Sequence, residues 1–330
     1  MDQYRGEPAV NITGMIAMVA TVVIWVGFLL SLRAGSESAL SSTDLALMRF
    51  GLPALFFVPW LVRCWSDICR IRWYYALMLM LGGLPFFYLI ALGSGYAPAA
   101  HAGALVPGTA PLFVTGLAVL LFKEPLPRPR FIGLAVILLG VTVLLSSALF
   151  DWQQQYWRGH LAFLAASALW AFYTLGLRVV GIGAMAATAL LCSGSLLGLL
   201  LLLGTGLVES NLIAAVTAGE SLSQLVQQIW PYLLIQGLGA GIIGGFTYGV
   251  AIARLGAEKT AALGSFTPAL AALAAIPLLG EQLSLMTLIG VLVIMAGVAL
   301  ASGVTWRAFA KKEKKAINVA KATPNAQIRV

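Results

Sequence analysis

Residues 105–141 read LVPGTAPLFVTGLAVLLFKEPLPRPRFIGLAVILLGV: an apolar run, a charged turn, and a second apolar run. Its fixed points are Pro111, Glu124, Leu126, Gly133 and Gly140, and each returns 157 residues later as Pro268, Glu281, Leu283, Gly290 and Gly297. The offset reaches back to Trp73 and Gly82, which map onto Trp230 and Gly239. Further upstream it becomes 145, pairing Gly14, Trp25, Leu32 and Arg33 with Gly159, Trp170, Leu177 and Arg178. The chain is thus one unit written twice, the second copy carrying about twelve extra residues before Trp230, and a duplication of this kind fixes the architecture before any other reading.

Hydrophobic residues make up 60% of the chain and charged residues 10%, where a soluble domain carries roughly 25% charge. Such a surface suits lipid. A span needs about twenty apolar residues to cross the hydrocarbon layer. On that measure spans are predicted at 12–33, 44–63, 73–93, 97–122, 130–149, 158–178, 184–207, 229–253, 257–279 and 284–305. The runs are long and unbroken rather than alternating, so they are helices and not barrel strands. The predicted fold is an all-α integral membrane protein with ten transmembrane helices. Residues 12–149 form the first five-helix repeat and 158–305 the second, between an N-terminal segment at 1–11 and a basic tail at 306–330.

Lys and Arg set the orientation. With the N-terminus inside, only Arg33 and Arg158 of the 20 basic residues fall outside, and Arg49 lies within a span. Both termini are therefore expected in the cytoplasm, with the protein in the cell membrane. Five helices is an odd number, so the two copies insert in opposite directions. The polar stretch 208–228 falls outside, as a surface helix or as a plain loop. The tail is expected against the anionic inner leaflet. The first apolar run is too long for a cleaved signal and is read as a retained helix.

Polar residues inside spans are costly, so each one is a candidate for function. Arg49, in the second span, either faces a cavity or snorkels to the interface. His101 and Glu258 are repeat mates near the starts of the fourth and ninth spans, and either sits at an interface or serves a site. Trp25, Tyr88, Thr109, Trp170, Tyr173, Gln236, Tyr248 and Thr267 complete the candidate solute-binding set. Pro111 and Pro268 interrupt matching spans, and paired interruptions of this kind point to a transporter's midplane site. Glu124 and Glu281 end those same spans, either holding their turns by accepting hydrogen bonds or acting in gating. Gly133 and Gly140 share a helical face, as do Gly290 and Gly297. The fifth and tenth helices are therefore read as bracing or as the seam of a homodimer.

Cys64, Cys69 and Cys192 form neither a disulfide framework nor a metal pattern. Phosphate loops, HExxH, GxSxG and clustered metal ligands are missing from the sequence. No enzyme activity, cofactor, metal or nucleic-acid partner is expected. The pattern carried by Ala104–Leu144 and again by Ala261–Leu300 resembles the EamA-type branch of the drug/metabolite transporter superfamily, and Trp25 and Arg49 fit it. The likeness runs from about Gly14 to Ser302. Two features depart from the family's pattern: Lys123-Glu124-Pro125 stands where a Glu-Arg/Lys turn is usual, and the second copy has no arginine matching Arg49. The resemblance implies two inverted five-helix halves and a central cavity lined by helices 1–4 and 6–9. It further implies secondary transport, commonly export, of a small metabolite such as an amino acid. The alternative is a non-transporting subunit or sensor of a larger complex, for which no soluble output domain is visible.

Overall fold

The computed structural model describes residues 11–150 and 155–302, without the side chains of 147–150, 257, 258, 261 and 262. The tail, most of the N-terminal segment and the Glu258 side chain lie outside the described residues. Fifteen α-helices and one π-helical segment follow in order: α1 Ile12–Ser36, α2 Ser42–Arg63, α3 Trp65–Cys69, α4 Trp73–Leu81, α5 Leu84–Tyr96, α6 Ala99–Phe122, α7 Arg128–Phe150, α8 Tyr156–Val179, α9 Ala184–Gly204, α10 Asn211–Thr217, α11 Leu222–Tyr232, the π segment Leu233–Ile243, α12 Gly244–Leu255, α13 Ala257–Gly264, α14 Thr267–Leu279 and α15 Leu285–Ala301. Among the described residues eight helical stretches are long and apolar enough to cross a membrane, and α14 and α15 are shorter apolar helices. Leu120, Leu139, Leu201 and Leu278 stand more than half exposed on the outer surface. In water each such side chain would forgo roughly 1.5–3 kcal/mol of burial, and in lipid it loses nothing.

Local chemistry sets the helix ends. Asn11 accepts the Gly14 N–H (3.0 Å) to start α1, and Ser41 with Asp44 forms a reciprocal capping box on α2. Matched turns end α6 and α14 with a left-handed residue, Lys123 at φ 53° and Gly280 at φ 67°. The segment 208–228 is helical, as α10 followed by the start of α11, and Asp44 accepts from the Ser210 hydroxyl (2.5 Å) to hold it to α2.

The predicted third, eighth and ninth spans are not plain helices. The third breaks at Gly82–Gly83, where a Cβ on Gly82 would lie 2.4 Å from the Tyr173 ring. The repeat mate of Gly82 is Gly239, and it lies inside the π segment. Both copies therefore leave α-geometry at the same register. The ninth predicted span breaks at Ser265–Phe266, so Pro268 does not kink a helix but starts α14 from its first turn. There its missing N–H has no helical partner to lose. The residue before a proline also resists α-geometry, which favours a break upstream. Its mate Pro111 lies within α6, which runs unbroken through Pro107 and Pro111.

Packing crosses between the repeats. The start of α1 meets the end of α12, where a Cβ on Gly14 would sit 2.8 Å from Arg254 Cβ. Reciprocally, the start of α8 meets the end of α5, with a Cβ on Gly159 placed 2.9 Å from the Gly93 carbonyl. Each copy's first helix thus lies on the other copy's third and fourth predicted spans. The glycine faces of α7 and α15 close on each other: Gly133 lies against Ala301, Gly140 against Ile294, and Gly290 against Leu144. Numbers rise along α7 as they fall along α15, so these repeat mates run antiparallel. The same contacts occupy both glycine faces within one chain, and a homodimer across these helices would have to use their remaining surfaces.

Candidate functional site

A cavity opens where the crossed first helices face each other. It is lined by Trp25, Phe28 and Leu29 of α1, Arg49 of α2, Phe86 and Ile90 of α5, Val106 and Pro107 of α6, Trp170 of α8, Ala240 of the π segment and Thr267 of α14. With its open mouth included it spans about 650 Å³ of empty space. The repeat mates Trp25 and Trp170 line it from matching positions. Behind them, Trp25 leans on Tyr248 (centroids 5.1 Å apart), while Trp170 is held between Phe86 (5.0 Å) and Tyr173 (4.9 Å).

Arg49 is the only charged residue in that lining. Its guanidinium lies 5.7 Å from the Phe28 ring centre and 5.6 Å from that of Phe50. Gly241 in the π segment gives it room: a Cβ there would be 3.1 Å from Arg49 Nη1 and 2.3 Å from Pro53. Among the described residues no carboxylate or carbonyl accepts a hydrogen bond from this guanidinium. Arg49 therefore faces the cavity rather than the interface. Pro53 offers no N–H to the Arg49 carbonyl, and Pro111 offers none to the Pro107 carbonyl, so two backbone acceptors beside the cavity lack a normal helical partner. The buried Thr267 hydroxyl also has no partner among the described residues. The walls are aromatic and aliphatic, the fixed charge is one cation, and no acidic side chain belongs to the lining.

The structure brings Trp25, Arg49, Trp170 and Thr267 of the sequence-derived set to this cavity, and leaves the others outside its lining. Tyr173 and Tyr248 support the two tryptophans. Tyr88 shares a hydrogen bond with Thr43 (3.0 Å) at the head of α2. Thr109 donates to the Leu105 carbonyl of its own helix (2.5 Å). Gln236 donates to Ser31 (2.8 Å) and leaves its buried Oε1 without a partner among the described residues. His101 is bonded through Nδ1 to Nε2 of His160 (2.8 Å) and through Nε2 to Thr287 (3.0 Å), tying α6 to α8 and α15. His160 has no counterpart in the sequence-derived set. Glu124 pairs with Arg178 at 2.7 Å, while Glu281 accepts the Ala99 N–H at 2.7 Å and lies 3.6 Å from Arg33. Pro111 and Pro268 lie outside the lining, and Pro107 takes the place expected of Pro111. Among the described residues no three His, Cys, Asp or Glu side chains converge as metal ligands would.

The comparisons agree with this two-copy arrangement. No curated protein matches the chain. A solved crystal structure matches it at 20% sequence identity and a TM-score of 0.55, over 88% of this chain and 96% of its own. A likeness at that identity speaks for the fold alone. The model of the EamA-like transporter family matches residues 12–146 and again 157–303. Two successive matches leave little of the chain uncovered, and the chain belongs to the EamA-like transporter family, within the drug/metabolite transporters.

Proposed function

We propose that the protein is a secondary transporter that carries a small solute across the cell membrane by alternating access. In this reading the ten predicted spans form two inverted halves, both termini are cytoplasmic, and the cavity at Arg49 is the binding site. The antiparallel course of α7 and α15 supports the inversion. The observation that carries the reading is Arg49: a cation in an apolar cavity with no protein acceptor is a costly arrangement, and a solute acceptor would relieve it. A carboxylate fits, since the guanidinium fork can bind both of its oxygens. Trp25, Phe28, Phe86 and Trp170 would hold an apolar or aromatic body, and an ammonium would find only the freed carbonyls, the Thr267 hydroxyl and ring faces. The solute is a weakly acidic or zwitterionic metabolite, such as an apolar amino acid or a related carboxylic acid. Its net movement in this reading is export, the common direction that the resemblance implies.

The test is flux through the purified protein in proteoliposomes, with a panel of monocarboxylates, amino acids and amines of similar size. Saturable movement of carboxylate-bearing compounds, with amines not carried, is the expected result. Flux of amines alone, or of none of the panel, would overturn the assignment.

A further inference from the structure

Arg33 and Arg178 are repeat mates, and so are Glu281 and Glu124. Each arginine pairs with the glutamate of the other copy: Arg33 with Glu281, and Arg178 with Glu124. In the proposed topology the first pair lies at the outer face and the second at the inner face. The two are not in the same condition. At the outer face Glu281 is 9% exposed, and its carboxylate accepts from the Ala99 N–H (2.7 Å) and the Ala100 N–H (3.5 Å), capping α6. Arg33 also donates to the Ser94 carbonyl (2.8 Å) at the end of α5 and pairs with Glu37 (2.6 Å). The loop after α14 thereby caps α6, and its carboxylate lies 3.6 Å from Arg33 Nε of α1, an atom without a hydrogen bond among the described residues. Below this seal Ala99, Ala100, Ala102, Ala104 and Leu105 are all fully buried, and His101 nearly so.

At the inner face Glu124 is 35% and Arg178 is 52% exposed, and they form a single bridge. The residue matching Ala99 is Gly256, and its N–H is bonded to the Ile252 carbonyl (2.9 Å) at the end of its own helix. The packing differs in the same sense. The outer half of α6 is enclosed, whereas in the matching stretch Lys259 of α13 and Phe266 in the break stand exposed beside the buried Thr260 and Ser265. One sequence unit used twice would give equal environments in a symmetric molecule. The two ends differ in sequence, Glu37 and Ser94 having Ile182 and Ala251 as mates, and the unlike capping of Ala99 and Gly256 is what one state of an alternating pair would show.

We propose that Glu281 and Glu124 are alternating latches, each sealing one face of the cavity by capping the other copy's fourth-span helix, while its arginine pair, formed here at both faces, holds the carboxylate in place. This chain is latched at the outer face. In the opposite state Glu281 releases Ala99 and Ala100, and Glu124 takes the N–H groups at Gly256 and the next residue, closing the inner face. The idea rests on the inverted topology and on alternating access, and adds to them the groups that hold each state.

Its test uses the full chain with Cys64, Cys69 and Cys192 replaced by alanine and one reporter, Val106→Cys, in the cavity wall. A small membrane-impermeant anionic thiosulfonate is applied to intact cells, and separately to inside-out vesicles. Glu281→Gln and Arg33→Ala should speed labelling from outside by about tenfold and slow it from inside, the change expected when one state loses one factor of ten in relative population. Glu124→Gln and Arg178→Ala should do the reverse. Two variants per latch keep the test valid if one fails to reach the membrane. Changes of the same sign at both latches, a reversed sign, or no change in either preparation would overturn the latch assignment. Reciprocal labelling in a protein that moves no solute of the panel would leave the latches standing and remove the transport reading instead.

Discussion

Arg49 places a fixed positive charge among aromatic rings, with Phe28 and Phe50 each within 6 Å of its guanidinium carbon. Ring faces attract a cation by about 0.5–2 kcal/mol, less than a carboxylate that also accepts its hydrogen bonds. Arg49→Gln removes the charge, and hydrogen bonds to charged groups are worth about 1.5–3 kcal/mol. Solute affinity measured on the purified protein should therefore fall by about 10- to 150-fold. Arg49→Lys keeps the charge but loses the planar fork, and an intermediate loss of about tenfold is expected. Wild-type affinity in the lysine variant, with the glutamine variant only poorly expressed, would make Arg49 a structural cation. This residue was legible because a charge inside an apolar run stands out, and Trp25 and Trp170 because the repeat pairs them. Phe28, Phe86 and Val106 were not, since an apolar span supplies such residues on its lipid, core and cavity faces alike. His160 was obscured by the polar residues around Arg158, at the edge of a span. Its pairing with His101 is a contact between helices 59 positions apart, which no local pattern reveals.

At the scale of the element, glycine decides how closely helices approach, and the heptad spacing of Gly133 with Gly140 and of Gly290 with Gly297 made those faces visible. Which partner they would meet was open, because spacing alone does not distinguish a second copy from a neighbour in the same chain. In the folded chain α7 packs on α15 through backbone. A Cβ at Gly297 would come within 2.6 Å of the Ile137 nitrogen and 2.9 Å of the Gly133 carbonyl, and one at Gly140 within 2.7 Å of the Ile294 nitrogen. Backbone atoms in packed helices cannot rotate aside, so the helices must separate. Gly140→Ala and Gly297→Ala are each expected to cost about 1–3 kcal/mol, as overpacking does, read as a lower thermal midpoint in detergent. Gly116→Ala, where nothing lies within 4 Å of the added carbon, is the neutral control. Equal midpoints for all three would mean that this seam contributes nothing to stability. The breaks were harder to place than the faces. Pro111 and Pro268 occupy matching positions, yet α6 continues through one while α14 begins at the other. A proline permits either outcome, and the packing around each copy selects between them.

For the whole molecule, the repeat and the charge distribution lead to one topology by separate routes. The odd number of spans predicted for each copy would invert the second copy. The basic residues gather on one side of the resulting arrangement, with Arg33 and Arg158 the exceptions outside the spans. The structure adds two independent signs. Repeat mates α7 and α15 run antiparallel, and each first helix rests on the other copy's third and fourth spans, as expected of copies related by inversion. None of these fixes which side is the cytoplasm except the charge. That step can be tested at Ser221, the exposed residue that starts α11, and at Asn318 in the basic tail. In the background without native cysteines, Ser221→Cys should react with an impermeant maleimide in intact cells, and Asn318→Cys should react only after the membrane is opened. Suppose instead that Asn318→Cys is labelled in intact cells and Ser221→Cys is protected. The molecule would then sit the other way up, with the Arg33–Glu281 seal facing the cytoplasm. Labelling of both in intact cells is the more damaging result: the two sites would share a side, the number of crossings between them would be even, and the inverted repeat would fail with the orientation. An odd number of crossings, through the π-helical span, α13 with α14, and α15, is what the inverted repeat requires.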